Sequence, residues 1–381
     1  MGDALAILAV MWAAVTAYAL LGGADFGAGI WDLLAGGRAA GAPRRALISR
    51  AIGPVWEANH VWLIFVLVLM WTAFPAAFAA VSSTLYVPLT AIALGVIARG
   101  AAFAFRKAID QPWAQRAFGA AFAFSSVVTP WFLGAAAGAV AAGRVPPGLA
   151  RGPAIGSWLN PVSAVTGTFA VVACAFLAAS YLAADARRAG DPALTAWFRR
   201  RAVASGLAVG ACSVAGLLVL HAGAPAAYGR LTGHALPLVA AAAAAGIAAV
   251  GLAVRGWLVP LRLAAAAAVA AVLWGWGTAQ YPYLLTPGPG RPGHAAAGLT
   301  VAAAAAPGAT LSATVICVAI GGALVLPSLG WLLVLAQRPP APQASLAPAA
   351  SPAPPASPAS PVPPVPPVPP ARAAGAPPRR G

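Results

Sequence analysis

Hydrophobic positions along this chain are grouped into long blocks, separated by short stretches that hold most of the charge. A helix needs about 20 consecutive apolar residues to cross the hydrocarbon core of a bilayer. Nine blocks meet that length, approximately at 4–24, 55–79, 84–105, 117–142, 159–184, 202–222, 235–254, 261–284 and 310–336. They predict an all-α integral membrane protein with nine transmembrane helices. The basic residues test the count. With the amino terminus outside and sides alternating, the inside segments hold Arg38, Arg44, Arg45 and Arg50, then Arg99, Arg106, Lys107 and Arg116. Next on that side come Arg187, Arg188, Arg199, Arg200 and Arg201, then Arg255 and Arg262, then Arg338, Arg372, Arg379 and Arg380. The outside segments hold Arg144, Arg151, Arg230 and Arg291. Nineteen of the 23 basic residues are therefore inside, the asymmetry that the positive-inside rule requires. Dropping or adding one early span destroys it. The expected topology has nine spans, the amino terminus outside and the carboxyl terminus in the cytoplasm.

Composition agrees. The chain is 61% hydrophobic and only 8% charged, whereas a soluble domain carries about a quarter charged residues. The net charge of +16 would fit a nucleic-acid partner if it formed a patch, but its clustering between apolar blocks makes it a topology signal, with lipid as the partner. The cysteines, Cys174, Cys212 and Cys317, are scattered in apolar runs. They give neither a disulfide framework nor a metal-ligand spacing and read as small buried core residues. The amino terminus has no basic run ahead of its first apolar block, which argues against a cleaved signal peptide. Residues 1–338 form the expected membrane domain. From 339 to 381 the chain is Pro, Ala and Ser with repeated Val-Pro-Pro, a composition expected to give a disordered, partly polyproline II cytoplasmic tail.

Ionisable groups at membrane depth are costly and mark function by default. Of seven acids, Asp3, Asp110, Asp185 and Asp191 lie at the terminus or in loops and read as solvated charges. Asp32 sits close to the first loop and is expected to pair with an arginine. Asp25 lies in Gly22-Gly-Ala-Asp-Phe-Gly-Ala-Gly29, toward the cytoplasmic side of the first span. Gly23 and Gly27 are spaced for close helix approach, so two readings stand open. Asp25 is either an acid on a packing face that snorkels to the interface, or a protonatable, ligand-contacting group. Glu57, the one glutamate, lies in Gly53-Pro-Val-Trp-Glu-Ala-Asn-His-Val-Trp-Leu-Ile64. Pro54 and an acid in the first helical turn suit a plain helix start. A start needs no imidazole one turn deeper, however. Glu57 and His60 share a face, with Asn59 beside them, and both can exist in two protonation states. A proton path is the favoured reading. Asp25 and Glu57 flank one short cytoplasmic loop, which points to an entrance from that side.

The remaining histidines, His221, His234 and His294, fall at outer span ends or loops, and Met70 reads as a gap-filling core residue. A transmembrane haem needs axial ligands facing inward from span interiors, so the chain is not expected to bind haem alone. It has no phosphate-cradling loop, haem-attachment motif or nucleophile elbow.

These segments resemble subunit II of the cytochrome bd quinol oxidases, including the cyanide-insensitive oxidases. The resemblance rests on the Asp25 block and the Glu57 block, with its Trp56 and Trp62. It rests also on Arg99 and Arg106 with Asn160-Pro161, on Ala279-Gln-Tyr-Pro-Tyr-Leu-Leu285 with its Pro282, and on Ala306-Pro-Gly-Ala-Thr-Leu311 and Leu326-Pro-Ser328. It implies two four-helix bundles plus one peripheral helix in a bacterial inner membrane. It also implies a partner, subunit I, carrying the b-type haems, haem d and the quinol-oxidising loop. A structural quinone and a small accessory subunit accompany some members. The family's acid on a proton path toward the oxygen-reducing site maps onto Glu57, and the first block's acid onto Asp25. Some members carry Asp and Gln where this chain has Glu57 and His60. The rival reading is a stand-alone secondary transporter, but such proteins place their sites near the midplane, and these acids lie to one side. A purely structural subunit is the third reading.

Overall fold

The computed structural model describes residues 1–52, 56–105, 111–288 and 298–337, leaving aside the side chains at 38, 56–58, 103, 112, 116, 326, 332, 333 and 335–337. Apolar blocks become helices wherever they occur. In chain order these are α1 Gly2–Leu33, α2 Arg38–Ile52, α3 Trp56–Ala73, α4 Pro75–Thr84, α5 Tyr86–Phe105, α6 Pro112–Ala141 and α7 Pro161–Arg188. They are followed by α8 Pro192–Gly223, α9 Pro225–Thr232, α10 Leu236–Arg255 and α11 Leu258–Gln280. A small antiparallel pair, β1 Tyr283–Leu285 and β2 Leu299–Thr300, then leads into the short α12 Val301–Ala304 and the long α13 Gly308–Gln337. Among the described residues seven helices are long and apolar enough to cross a membrane, or eight if the bent pair α3–α4 is one span. This is a multi-pass membrane protein.

Proline sets many of the helix starts. It costs nothing at the first turn, where its missing N–H has no intrahelical partner, and α4, α6, α7, α8 and α9 all begin this way. Asn160 and Asp191 complete two of these starts, accepting at 3.0 Å from the Ser163 N–H and at 2.9 Å from the Leu194 N–H. Pro75 also overturns one expectation, a continuous second span over 55–79. The chain turns through 119° between α3 and α4, because Phe74 precedes a proline and leaves the helical region (φ −134°, ψ 57°). The Ala73 carbonyl, freed by the break, accepts from the Ala306 N–H at 2.9 Å. That bond meets the demand that buried backbone groups be satisfied at membrane depth.

Two further expectations are corrected. The first span runs on to Leu33, and the arginine-rich loop after it is itself a helix, α2. It is tied down by Arg44 donating to Ala35 O at 2.6 Å and by Arg45 facing Asp32 at 3.8 Å. The Pro282 segment does not close the eighth span. Helix α11 ends at Gln280, the Tyr281–Pro282 peptide is cis, and β1 follows. Leu285 of β1 packs with Ala80, Leu85, Ala139 and Val145, joining the ends of α4, α5 and α6.

Helix α7 is the centre, packed against α1, α6, α8 and α11. In its most apolar stretch 56% of residues are buried, against 6% in α8 and α13. The outer helices therefore carry apolar side chains on their exposed faces. That is why only Cys174 is a core residue, while Cys212 is half-buried and Cys317 exposed, contrary to the expectation for all three. The loop acids are also less free than expected. Asp185 pairs with Arg188 and Arg262, and Asp3 accepts from Ser312 Oγ at 2.7 Å, linking α1 to α13.

Candidate functional site

Among the described residues the most buried charges lie where α1, α5 and α6 meet. Asp25 is 4% exposed and Arg99 1%. The sequence gives Arg99 to the inside charge set; the structure puts it within α5, inside the bundle. Its Nη2 donates to Asp25 Oδ1 at 2.6 Å and to the Asp25 carbonyl at 2.7 Å, while Nε donates to Oδ2 at 3.3 Å. Nη1 donates to Ser126 Oγ on α6, whose hydroxyl donates in turn to Phe122 O. The guanidinium carbon stands 4.3 Å from the Phe122 ring centroid and 5.0 Å from that of Phe26. Four guanidinium donor bonds and two aromatic faces thus replace water around this cation, the condition under which a buried charge is tolerable. Asp25 is accordingly enclosed in the protein and is not an acid that snorkels to the interface. It is the counter-ion of Arg99.

The glycines beside Asp25 face a different helix. A methyl group on Gly27 would run into the Cys174 carbonyl of α7, whereas one on Gly23 would meet Cys174 Sγ at 3.5 Å. Trp31 further fixes α1 to α7, its Nε1 donating to Ala175 O at 2.8 Å.

Helix α3 brings the other candidates to the same region of α1. Asn59 is buried and donates from Nδ2 to Leu21 O at 3.4 Å. The His60 ring packs against Tyr18 at 6.1 Å and Phe26 at 6.0 Å between centroids. Phe26 is thereby common to His60 and Arg99. Trp62 packs on the cluster of Tyr18, Phe26 and Cys174. The buried Tyr18 hydroxyl has no hydrogen-bond partner among the described residues. The backbone of Glu57 lies in the first turn of α3, one turn before His60. The Glu57 and Trp56 side chains are outside the described residues, as are Arg106, Lys107, Arg291, His294 and the segment 338–381.

Asn160 and Pro282 are distant from this cluster, one capping α7 and the other preceding β1. Sequence reasoning missed Tyr18, Phe26, Phe122 and Ser126. One signal was available: Arg99 falls inside the apolar block 84–105, and an intramembrane arginine requires a partner. Aromatic and serine neighbours carry no such mark in a chain rich in both.

Long apolar helices around a fully enclosed acid–base pair define a class: a polytopic helical membrane protein with an internal polar site. Within that class, the chain belongs to the cytochrome bd terminal oxidase subunit II family, whose profile matches residues 4–336. The cytochrome bd ubiquinol oxidase subunit 2 of Bacillus subtilis is 35% identical over 114 residues, 30% of this chain and 33% of that protein. A putative cytochrome bd menaquinol oxidase subunit II of the same organism is 28% identical over 92 residues, 24% of this chain and 26% of its own length. The aligned stretches thus span a third or less of these relatives. A chain in the structure of the bd oxidase from Geobacillus thermodenitrificans superposes with a TM-score of 0.66. It covers 88% of this chain and 98% of that one at 21% identity, which is a likeness of fold.

Proposed function

We propose that this chain is the haem-free second subunit of a quinol:oxygen oxidoreductase in a bacterial inner membrane. It scaffolds a larger subunit carrying b-type haems and haem d, and lines a proton path from the cytoplasm toward the oxygen-reducing site. The family supports the complex. The polar group shared by α1, α3 and α5 supports the path: His60 packs on Phe26, beside the Asp25–Arg99 pair and one turn along α3 from Glu57. Glu57 takes up the proton and passes it toward His60, with Asn59 holding α3 against α1. The Asp25–Arg99 pair supplies a fixed, net-neutral wall.

Haem belongs to the partner in this reading. His60 is enclosed by aromatic rings, His221 lies against the Tyr228 ring, and His234 Nε2 is 3.0 Å from Thr278 O. No cluster of three or more His, Cys, Asp or Glu side chains forms among the described residues. The chain crosses the bilayer nine times in this reading, as two four-helix bundles plus α13. Residues 339–381 form a cytoplasmic tail outside the machinery.

Glu57→Gln tests the path. Turnover of the purified complex should fall by about a hundredfold, the lower end of what a positioned proton-transfer group contributes. Haem content and subunit stoichiometry should stay at parental values, and Glu57→Asp should keep most of the activity. Parental turnover in Glu57→Gln would remove the path and leave a scaffold.

A further inference from the structure

The triplet Arg199-Arg200-Arg201 near the start of α8 divides between two environments. Arg201 turns into the protein, its guanidinium carbon 3.2 Å from the Trp197 ring centroid and 5.9 Å from that of Trp31. Arg199 and Arg200 turn away, into a cleft of about 260 Å³ between α8 and α10. Its remaining lining is apolar: Val203, Ala253 and Val254.

Among the described residues neither arginine has a protein counter-charge. Among the described residues no hydrogen bond or ion pair engages either one, although Arg199 is only partly exposed. The two nearby acids are committed elsewhere. Asp185 holds Arg188 and Arg262, and Asp191 accepts from the Leu194 N–H. Arg187 adds no anion, since it donates to the Gly256 carbonyl at 3.1 Å. Gly256 closes α10 with φ +76°, and a side chain there would come within 3.2 Å of Arg199 Nη1.

We propose that this cleft binds the headgroup of an anionic glycerophospholipid, with its phosphodiester between Arg199 and Arg200 and the start of an acyl chain along Val203 and Val254. Guanidinium forks match phosphate oxygens in geometry as well as charge. Basic pockets at the arginine-rich ends of membrane helices are where acidic lipid headgroups collect. The apolar wall selects the source of the phosphate. Val254 is 62% exposed and Leu207, one turn beyond Val203, is 61% exposed. Only 6% and 11% of the apolar stretches of α8 and α10 are buried. A free phosphate ion would use the arginines and leave this surface unused; a lipid uses both.

Native mass spectrometry of the intact complex, titrated with phosphatidylglycerol, phosphatidylcholine or inorganic phosphate, tests the site. The parent should hold one more tightly bound phosphatidylglycerol than the double variant Arg199→Gln/Arg200→Gln. Each arginine near a charged membrane surface contributes about fivefold, so affinity should drop about 30-fold in the double variant. Val254→Trp, which fills the apolar wall and keeps both charges, should weaken phosphatidylglycerol and leave inorganic phosphate unaffected. An unchanged haem spectrum in each variant verifies assembly. Equal phosphatidylglycerol retention in parent and double variant would overturn the proposal. So would equal retention of phosphatidylcholine, or no binding because the partner subunit covers the cleft.

Discussion

Asp25 and Arg99 lie 74 positions apart in sequence and meet at 2.6 Å. Their energetics are asymmetric. A buried ion pair is worth little against an apolar replacement of the same volume, because desolvation consumes most of the attraction, but removing one partner strands a charge. Asp25→Asn or Arg99→Gln should therefore destabilise the chain by about 3–5 kcal/mol, whereas Asp25→Leu combined with Arg99→Met should recover most of that loss. Thermal inactivation of the detergent-solubilised complex reads both. Single variants within about 1 kcal/mol of the parent would mean that water or a lipid headgroup reaches the pair. At this scale the sequence was half legible. Asp25 stood out because acids are rare here, while Arg99 was absorbed into the topological charge set. Which residues share a cavity is a property of tertiary packing, and hydropathy carries no information about it.

Helices were legible in existence and blurred in direction. Each apolar block yields a helix, but a hydropathy window cannot register a 119° turn. The Phe74–Pro75 signal was present all the same, and Ala224–Pro225 repeats it between α8 and α9 with a similar backbone (φ −150°, ψ 63°). Two long helices thus end the same way, each followed by a short helix that begins with proline. Helix α2 was hidden by its arginines, which read as loop. Close approach of α1 to α7 was legible in the Gly23/Gly27 spacing, although the two glycines are unequal. Gly27→Ala places a methyl group on the Cys174 carbonyl, a backbone atom that cannot step aside, and should cost about 1–3 kcal/mol by overpacking. Gly23→Ala meets Cys174 Sγ at 3.5 Å and Leu177 Cδ1 at 3.6 Å, ordinary contacts, and should stay within about 0.5 kcal/mol of the parent. Equal melting temperatures for the two variants would show that the α1–α7 approach is looser than this packing.

Topology is where element-level facts combine into a property of the whole molecule. Taking Arg99 out of the inside set leaves 18 basic residues there against four outside, so the expected charge asymmetry does not depend on it. The number of crossings is the more sensitive quantity. If α3–α4 and α5 both cross, the chain has nine spans; if neither does, it has seven and every later loop keeps its side. If only one crosses, every later loop changes side. Helix α3 has 18 residues, roughly 27 Å at 1.5 Å per residue, and α5 has 20 residues, roughly 30 Å. In the nine-span reading each crosses by itself, and α4 lies across the outer surface between them. Two single-cysteine reporters separate the three cases. Ala76→Cys at the exposed start of α4 should react with a membrane-impermeant maleimide in intact cells, and Ala189→Cys in the α7–α8 connection should react only after lysis. Ala76→Cys silent until lysis, with Ala189→Cys unchanged, would reduce the count to seven. Both cysteines reacting before lysis would mean that α5 turns back, and Ala189→Cys alone reacting would mean that α3–α4 does; either would place the Glu57 end of α3 and the α7–α8 arginines on opposite faces. The proton path proposed here holds for nine or seven spans and fails where only one of α3–α4 and α5 crosses, because Glu57 can draw protons from the arginine-rich side only if α3 begins there.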